Sequence, residues 1–182
     1  IPTKGQIYFR EVDISRLRPD LKVKLGISYV PQLDNVFQSL SVFENLEMGG
    51  YSLAKSELSD RIETIFELFP LLFERQSQKA GTLSGGERQM LAMGSALIES
   101  PKLILLDEPS AGLAPAATIS LFEKILEINE LGTTIIIIEQ NAAESLNISN
   151  RGYVLAAGQN EFDDEAGNIL GDQRIRKAYL GG

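Results

Sequence analysis

Two short stretches hold residue types suited to phosphate. Residues 83–87 read Leu-Ser-Gly-Gly-Glu, and residues 103–109 read Leu-Ile-Leu-Leu-Asp-Glu-Pro. The first is a glycine-rich turn opening a helix. Backbone N–H groups and the helix dipole there point at whatever binds, and both favour an anion. Gly85 and Gly86 let a phosphate approach the backbone closely, and Ser84 and Glu87 flank them. The second is a buried strand that ends in two carboxylates, where open α/β sheets place their ligands. Asp107 can hold Mg²⁺ directly or through water, and Glu108, pointing the other way, can polarise a water for attack on a γ-phosphate. Each stretch alone has a plainer explanation, a flexible turn or a solvated strand end. Together, in this order, they describe the phosphate and magnesium chemistry of ATP.

Those residues need strands and helices to hold them. Gln6–Phe9 alternates after Gly5 and reads as a short strand, and Leu25–Val30 is a second, stopped by Pro31. From about 36 to 100 the chain is mostly helical. Ser41-x-x-Glu44 is a capping box, and Leu58, Ile62, Ile65, Phe66 and Phe69 recur at helical spacing up to Pro70. Another helix runs from Gly86 to about Ile98. Lys102–Leu106 and Thr134–Ile138 are apolar runs, expected to be central parallel strands covered by helices on both faces. A helix from Pro115 to Leu131, with proline in its first turn and Gly132 past its end, crosses over between them. Tyr153–Ala156 adds a strand and Asp172–Leu180 a last helix.

The 182 residues are enough for one domain with a subdomain. A net charge of −8 argues against a nucleic-acid partner, which would need a basic face. Without cysteine or histidine, disulfides, thiolate metal sites and imidazole chemistry are excluded. The apolar run Ile135–Ile138 is far too short to span a bilayer.

At this point the chain resembles the ABC ATPases over essentially its whole length. The resemblance implies an α/β fold of P-loop NTPase type: a mainly parallel sheet flanked by helices, with an inserted α-helical subdomain. Residues 1–35 and 101–182 would form a partial RecA-like core, and 36–100 the helical signature subdomain. Gln32, in Val30-Pro31-Gln32, looks like the Q-loop glutamine that touches Mg²⁺ and the attacking water. Ser84, Gly85, Gly86 and Glu87 match the signature that meets the γ-phosphate held by the opposite subunit. Asp107 matches the magnesium ligand and Glu108 the catalytic base. Ser110–Ala114 occupies the D-loop, although the family often has aspartate where Ala114 stands. Gln140 takes the place of the usual switch histidine; it can donate a hydrogen bond but cannot carry a proton charge. Glu139-Gln140-Asn141, Gly112–Pro115, Glu44–Leu46 and the ending Ala178–Gly182 look like the ATPase subunits of branched-chain amino-acid importers, with urea and amide importers similar. ATP and Mg²⁺ are the implied cofactors. A second ATPase subunit and transmembrane permease subunits are the implied partners, on the cytoplasmic face of the membrane.

The third family element, Gly-x-x-x-x-Gly-Lys-Ser/Thr, is not matched. Its nearest approach, Gly49-x-x-x-x-Ala54-Lys55-Ser56, follows a helix and lacks the second glycine. The resemblance implies that the loop, its strand and its helix lie upstream of Pro2-Thr3-Lys4-Gly5. Residues 1–182 alone are therefore expected to bind ATP poorly. They are also expected to leave the backbone of Leu103–Leu106 and its neighbours unpaired, an edge open to self-association. The rival to a truncated motor subunit is a catalytically inactive ABC-like interaction module.

Overall fold

The computed structural model describes residues 2–179. The chain opens with a small antiparallel hairpin, β1 (Tyr8–Phe9) and β2 (Val12–Asp13), followed by helix α1 (Pro19–Lys24) and strand β3 (Ile27–Val30). Four helices come next: α2 (Val42–Gly49), α3 (Lys55–Leu68), α4 (Pro70–Glu74) and α5 (Gly85–Leu97). Strand β4 (Leu103–Asp107), helix α6 (Pro115–Glu130) and strand β5 (Thr134–Ile138) form a parallel crossover unit. The chain continues through α7 (Ala142–Asn147), the hairpin β6 (Arg151–Ala156) and β7 (Gln159–Glu165), α8 (Ala166–Gly171) and α9 (Gln173–Tyr179). The last three residues of the Ala178–Gly182 resemblance, and the Leu180 end of the expected helix, lie outside the described residues.

Strands β3, β4 and β5 make a parallel sheet in that order, with Ile27 beside Leu103 and Leu103 beside Thr134. Period-2 alternation sends Val30, Ile104 and Leu106 into the core, each about 2% exposed. There they join Leu46, Leu91, Met93, Ile98, Leu121 and Ile125 in one continuous cluster spanning sheet and helices. The hairpin β6–β7 packs on α7 to α9 around a smaller cluster of Leu146, Ala166, Ile169 and Ile175.

Two expectations about the sheet need correction. One face of the sheet packs on the helices, and the other is covered only in part, near Ile27 at 7% exposure. Tyr29, Ile136 and Ile138, on the other face, are 55%, 50% and 57% exposed. Nor does β4 itself have an unpaired edge: β3 and β5 flank it, and the unpaired edges lie on these neighbours, at the outer sides of β3 and β5. The apolar runs identified central strands, yet composition cannot say which face meets a helix.

Local chemistry explains the helix ends. Ser41 and Ser84 each cap a helix by accepting the N–H of the glutamate three residues on, and each donates its own N–H to that glutamate's carboxylate, giving capping boxes at α2 and α5. Pro115 opens α6, and Gly132, at φ +97°, follows its end. Pro70 ends α3 and begins α4 in the same step. Helices α2 and α5 pack so tightly that a Cβ on Gly49 would stand 2.6 Å from the Ser95 carbonyl oxygen. Strand β7 escapes the sequence pattern because its residues, Gln159–Glu165, are exposed apart from half-buried Phe162. Its signal was the turn Ala157-Gly158, where both residues have positive φ.

Candidate functional site

The three parallel strands all end at one edge of the sheet, and each delivers a side chain there. Glu108 follows β4 directly. It has a left-handed backbone, φ +45°, and its N–H donates to the Ile138 carbonyl on β5 at 2.8 Å. A non-glycine residue at positive φ is uncommon, and such conformations gather at functional sites. Gln32, just past β3, donates its side-chain amide to Glu108 Oε2 at 2.7 Å. Gln140, just past β5, donates to Glu108 Oε1 at 2.7 Å. Both carboxylate oxygens of one residue are thus held by amides from the two neighbouring strands. In this arrangement Gln32 lies on Glu108 rather than on Asp107.

Asp107 points to the open face. Its Oδ2 accepts a hydrogen bond from the Tyr29 hydroxyl on β3 at 2.8 Å. That bond, then partial burial, then the carboxylate charge raise the Tyr29 phenol above its ordinary pKa. Among the described residues no group of three or more acids could form a metal cage. Asp107 fits a different kind of site, since Mg²⁺ often takes one or two carboxylates and completes its shell with water and substrate phosphate. The donor set therefore suits magnesium carried in with a polyphosphate. Asp107 would hold it.

The Ser84–Gly86 corner starts helix α5 and is open to solvent at Ser84 and Gly85. The N–H groups of Gly85 and Gly86 lie in the first turn, where no carbonyl of the same helix can accept them. They stay available to an anion. Glu87 faces inward instead: Oε2 accepts the Ser84 N–H at 2.7 Å, and Oε1 lies 2.9 Å from Arg75 Nε. The backbone bond from Ser84, with help from its hydroxyl and from Arg75, holds the Glu87 carboxyl below its ordinary range against the opposing effect of burial. Glu87 shapes the corner, and the solvent-facing surface is left to Ser84 and Gly85.

The corner and the acids meet the same connecting segment. Gly85 packs near Leu113 and Gly86 near Ala117. Glu108, Ser110–Leu113, Pro115 and Gln140 line a cleft of about 440 Å³ beside them. Glu139 closes one side by accepting the Ser110 N–H at 2.9 Å. Tyr29 and Arg75 were not singled out from the sequence, and Glu139 entered only as part of the Glu139-Gln140-Asn141 resemblance. Tyr29 faces Asp107 only because β3 and β4 pair Val30 with Leu106, a register that one sequence does not print.

Comparison with known proteins agrees with this geometry. Residues 1–111 match the family model described as ABC transporter. A probable branched-chain amino acid transport ATP-binding protein of Archaeoglobus fulgidus is 42% identical over 178 residues, covering 97% of this chain and 75% of the relative. A high-affinity branched-chain amino acid transport ATP-binding protein of Pseudomonas aeruginosa is also 42% identical over 178 residues, covering 98% and 76%. Among solved structures, the ADP conformation of an ATP-binding cassette of an ABC transporter superposes with a TM-score of 0.85 at 28% identity, covering 99% of this chain and 78% of that one. A strand-end glutamate between two glutamines, an exposed serine–glycine corner and these relatives lead to one conclusion: the chain belongs to the ATP-binding subunits of ABC transporters.

Proposed function

We propose that the protein is the motor subunit of an importer for branched-chain amino acids, hydrolysing ATP in a sandwich of two ATP-binding subunits beneath a permease. The observation that carries the proposal is the triad at the sheet edge, where Gln32 and Gln140 grip the two oxygens of Glu108 at 2.7 Å each. Glu108 acts as the base: once one amide swings away, the freed oxygen accepts a proton from water and aims that water at the γ-phosphate. Gln32 and Gln140 orient Glu108 and then the water or phosphate oxygen that replaces it. Asp107, steadied by Tyr29, would hold Mg²⁺, which neutralises charge on the β- and γ-phosphates when bound. Ser84, Gly85 and Gly86 offer their hydroxyl and N–H groups to the phosphate on the partner subunit. The amino-acid solute is inferred from the two bacterial and archaeal relatives named above.

A groove on the helical side supports a membrane partner. Phe43, Ile62, Phe66, Pro70 and Phe73 line about 520 Å³, rimmed by Ser59, Glu63 and Glu67. Phe66 and Phe73 meet edge to face with ring centres 5.5 Å apart. An amphipathic permease helix suits such a groove. Among the described residues no helix is long and apolar enough to cross a membrane.

Co-expression with candidate permease subunits, followed by leucine and urea uptake into vesicles, tests the proposal. Leucine-stimulated ATP turnover by a co-purifying complex is expected. Uptake of urea without leucine would overturn the solute, and failure of any permease to co-purify would overturn the motor role.

A further inference from the structure

Arg75 ends α4 and reaches the signature corner. Its Nε lies 2.9 Å from Glu87 Oε1, and the Glu87 side chain is only 16% exposed. The second oxygen of Glu87 accepts the Ser84 N–H, while the Glu87 N–H donates to Ser84 Oγ at 3.3 Å. One carboxylate therefore serves a guanidinium on one side and the corner on the other. Arg75 also donates through Nη1 to Gln78 at 3.1 Å, and the Gln78 amide donates to Thr82 at 2.9 Å. The Gln78 and Gln76 carbonyls accept the N–H groups of Val42 and Phe43, at the start of α2, at 2.9 Å each. The segment 75–83 thus braces α2 against the corner, and Phe43, whose N–H it holds, and Phe73, two residues before it, line the apolar groove.

We infer that Arg75 is a positioning residue that fixes the Ser84–Gly86 corner through Glu87 and ties it mechanically to the groove between α2, α3 and α4. Arg75 touches no ligand itself. The inference rests on the reading of that corner as a phosphate-facing surface. It depends on charge: a glutamine at 87 keeps an acceptor for the Ser84 N–H but loses the ion pair. A lysine at 75 keeps the charge and loses the planar fork.

Amide exchange followed by NMR on the purified protein tests the link without nucleotide. Arg75→Gln and Glu87→Gln are each expected to speed exchange of the Ser84 and Glu87 amides about tenfold, with Arg75→Lys recovering most of the loss. The double variant Arg75→Gln/Glu87→Gln is expected to exchange no faster than Glu87→Gln alone, since both changes remove one contact. Exchange at Leu106, deep in β4, serves as the reference for global stability. If Arg75→Gln does not fold, the same cycle is run with Arg75→Met, which removes the charge and keeps an apolar stem. In the assembled motor Arg75→Gln is expected to lower kcat about fivefold with KM for ATP unchanged, because the corner acts on a nucleotide already bound to the other subunit. Wild-type exchange in Arg75→Gln, or effects that multiply in the double variant, would overturn the inference. A wild-type assembly without ATP turnover would overturn the motor reading instead, and the exchange cycle would still decide Arg75.

Discussion

Alanine at Gly85 and at Gly86 should separate packing from chemistry. Both residues lie in the first turn of α5 with helical backbones, so alanine gains roughly 0.5 kcal/mol of helix propensity at either position. Their surroundings differ. A Cβ on Gly85 would stand 3.2 Å from Leu113 Cδ2, the free end of a side chain that can rotate away. A Cβ on Gly86 would stand 3.0 Å from Ala117 Cβ, which has no rotamer and moves only with α6. Shifting a packed helix by a few tenths of an ångström costs about 1–2 kcal/mol. Gly85→Ala should therefore be neutral in stability and Gly86→Ala destabilising by about 1 kcal/mol net. For a chain of this size the Tm gap is about 2–4 °C. Thermal melts of the two variants check the packing half. ATP turnover of the assembled protein checks the other half. The Gly85 methyl would sit on the solvent face of the corner, so turnover should fall at least about tenfold despite an unchanged melt. If Gly85→Ala melts as low as Gly86→Ala, the packing reasoning is wrong. If it melts and turns over like wild type, the corner does not face a phosphate.

Three further outcomes follow from the same geometry. Glu108→Gln keeps the shape but removes the base, and turnover of the assembled protein should drop by about 10²–10⁴ while nucleotide still binds. The Glu87 carboxyl has a folded pKa below its unfolded one, so its stabilisation is complete above the unfolded value and lost as pH falls through the folded value. Helicity and stability of wild type should thus decline below about pH 4 more than those of Glu87→Gln, as acid titrations followed by circular dichroism would show. With Ile136 and Ile138 exposed beside the free edge of β5, the 182-residue protein should self-associate. Sedimentation velocity should show an s-value rising with concentration, and a single concentration-independent monomer would refute it.

Much of the site could be read in the chain because its chemistry is local. A glycine-rich helix start needs only Ser84, Gly85 and Gly86 in a row, and a strand-end acid pair needs only an apolar run before Asp107 and Glu108. The strands Ile27–Val30 and Thr134–Ile138 fall within the expected stretches, and Leu103–Asp107 runs one residue past the expected Lys102–Leu106. Contacts made across the fold were less accessible. Both glutamines were identified, but nothing in their spacing put either amide on Glu108 or Tyr29 on Asp107. Those pairings join residues 76, 32 and 78 positions apart, through a strand register that local patterns do not encode. Arg75 was hidden for the same reason, since an arginine after a short helix has no special periodicity. The strand β7 was hidden because polar residues on both faces leave no alternation to detect.

The three-strand grip on Glu108 makes the site a gauge of alignment. Sliding β5 by one residue past β4 would turn Gln140 to the opposite side and strip one amide from the carboxylate. Such a slip would keep much of the helix content and could pass unnoticed by bulk spectroscopy. On the proposed mechanism it would still silence the centre, because the atoms that report correct assembly of the sheet are the same ones proposed to handle water.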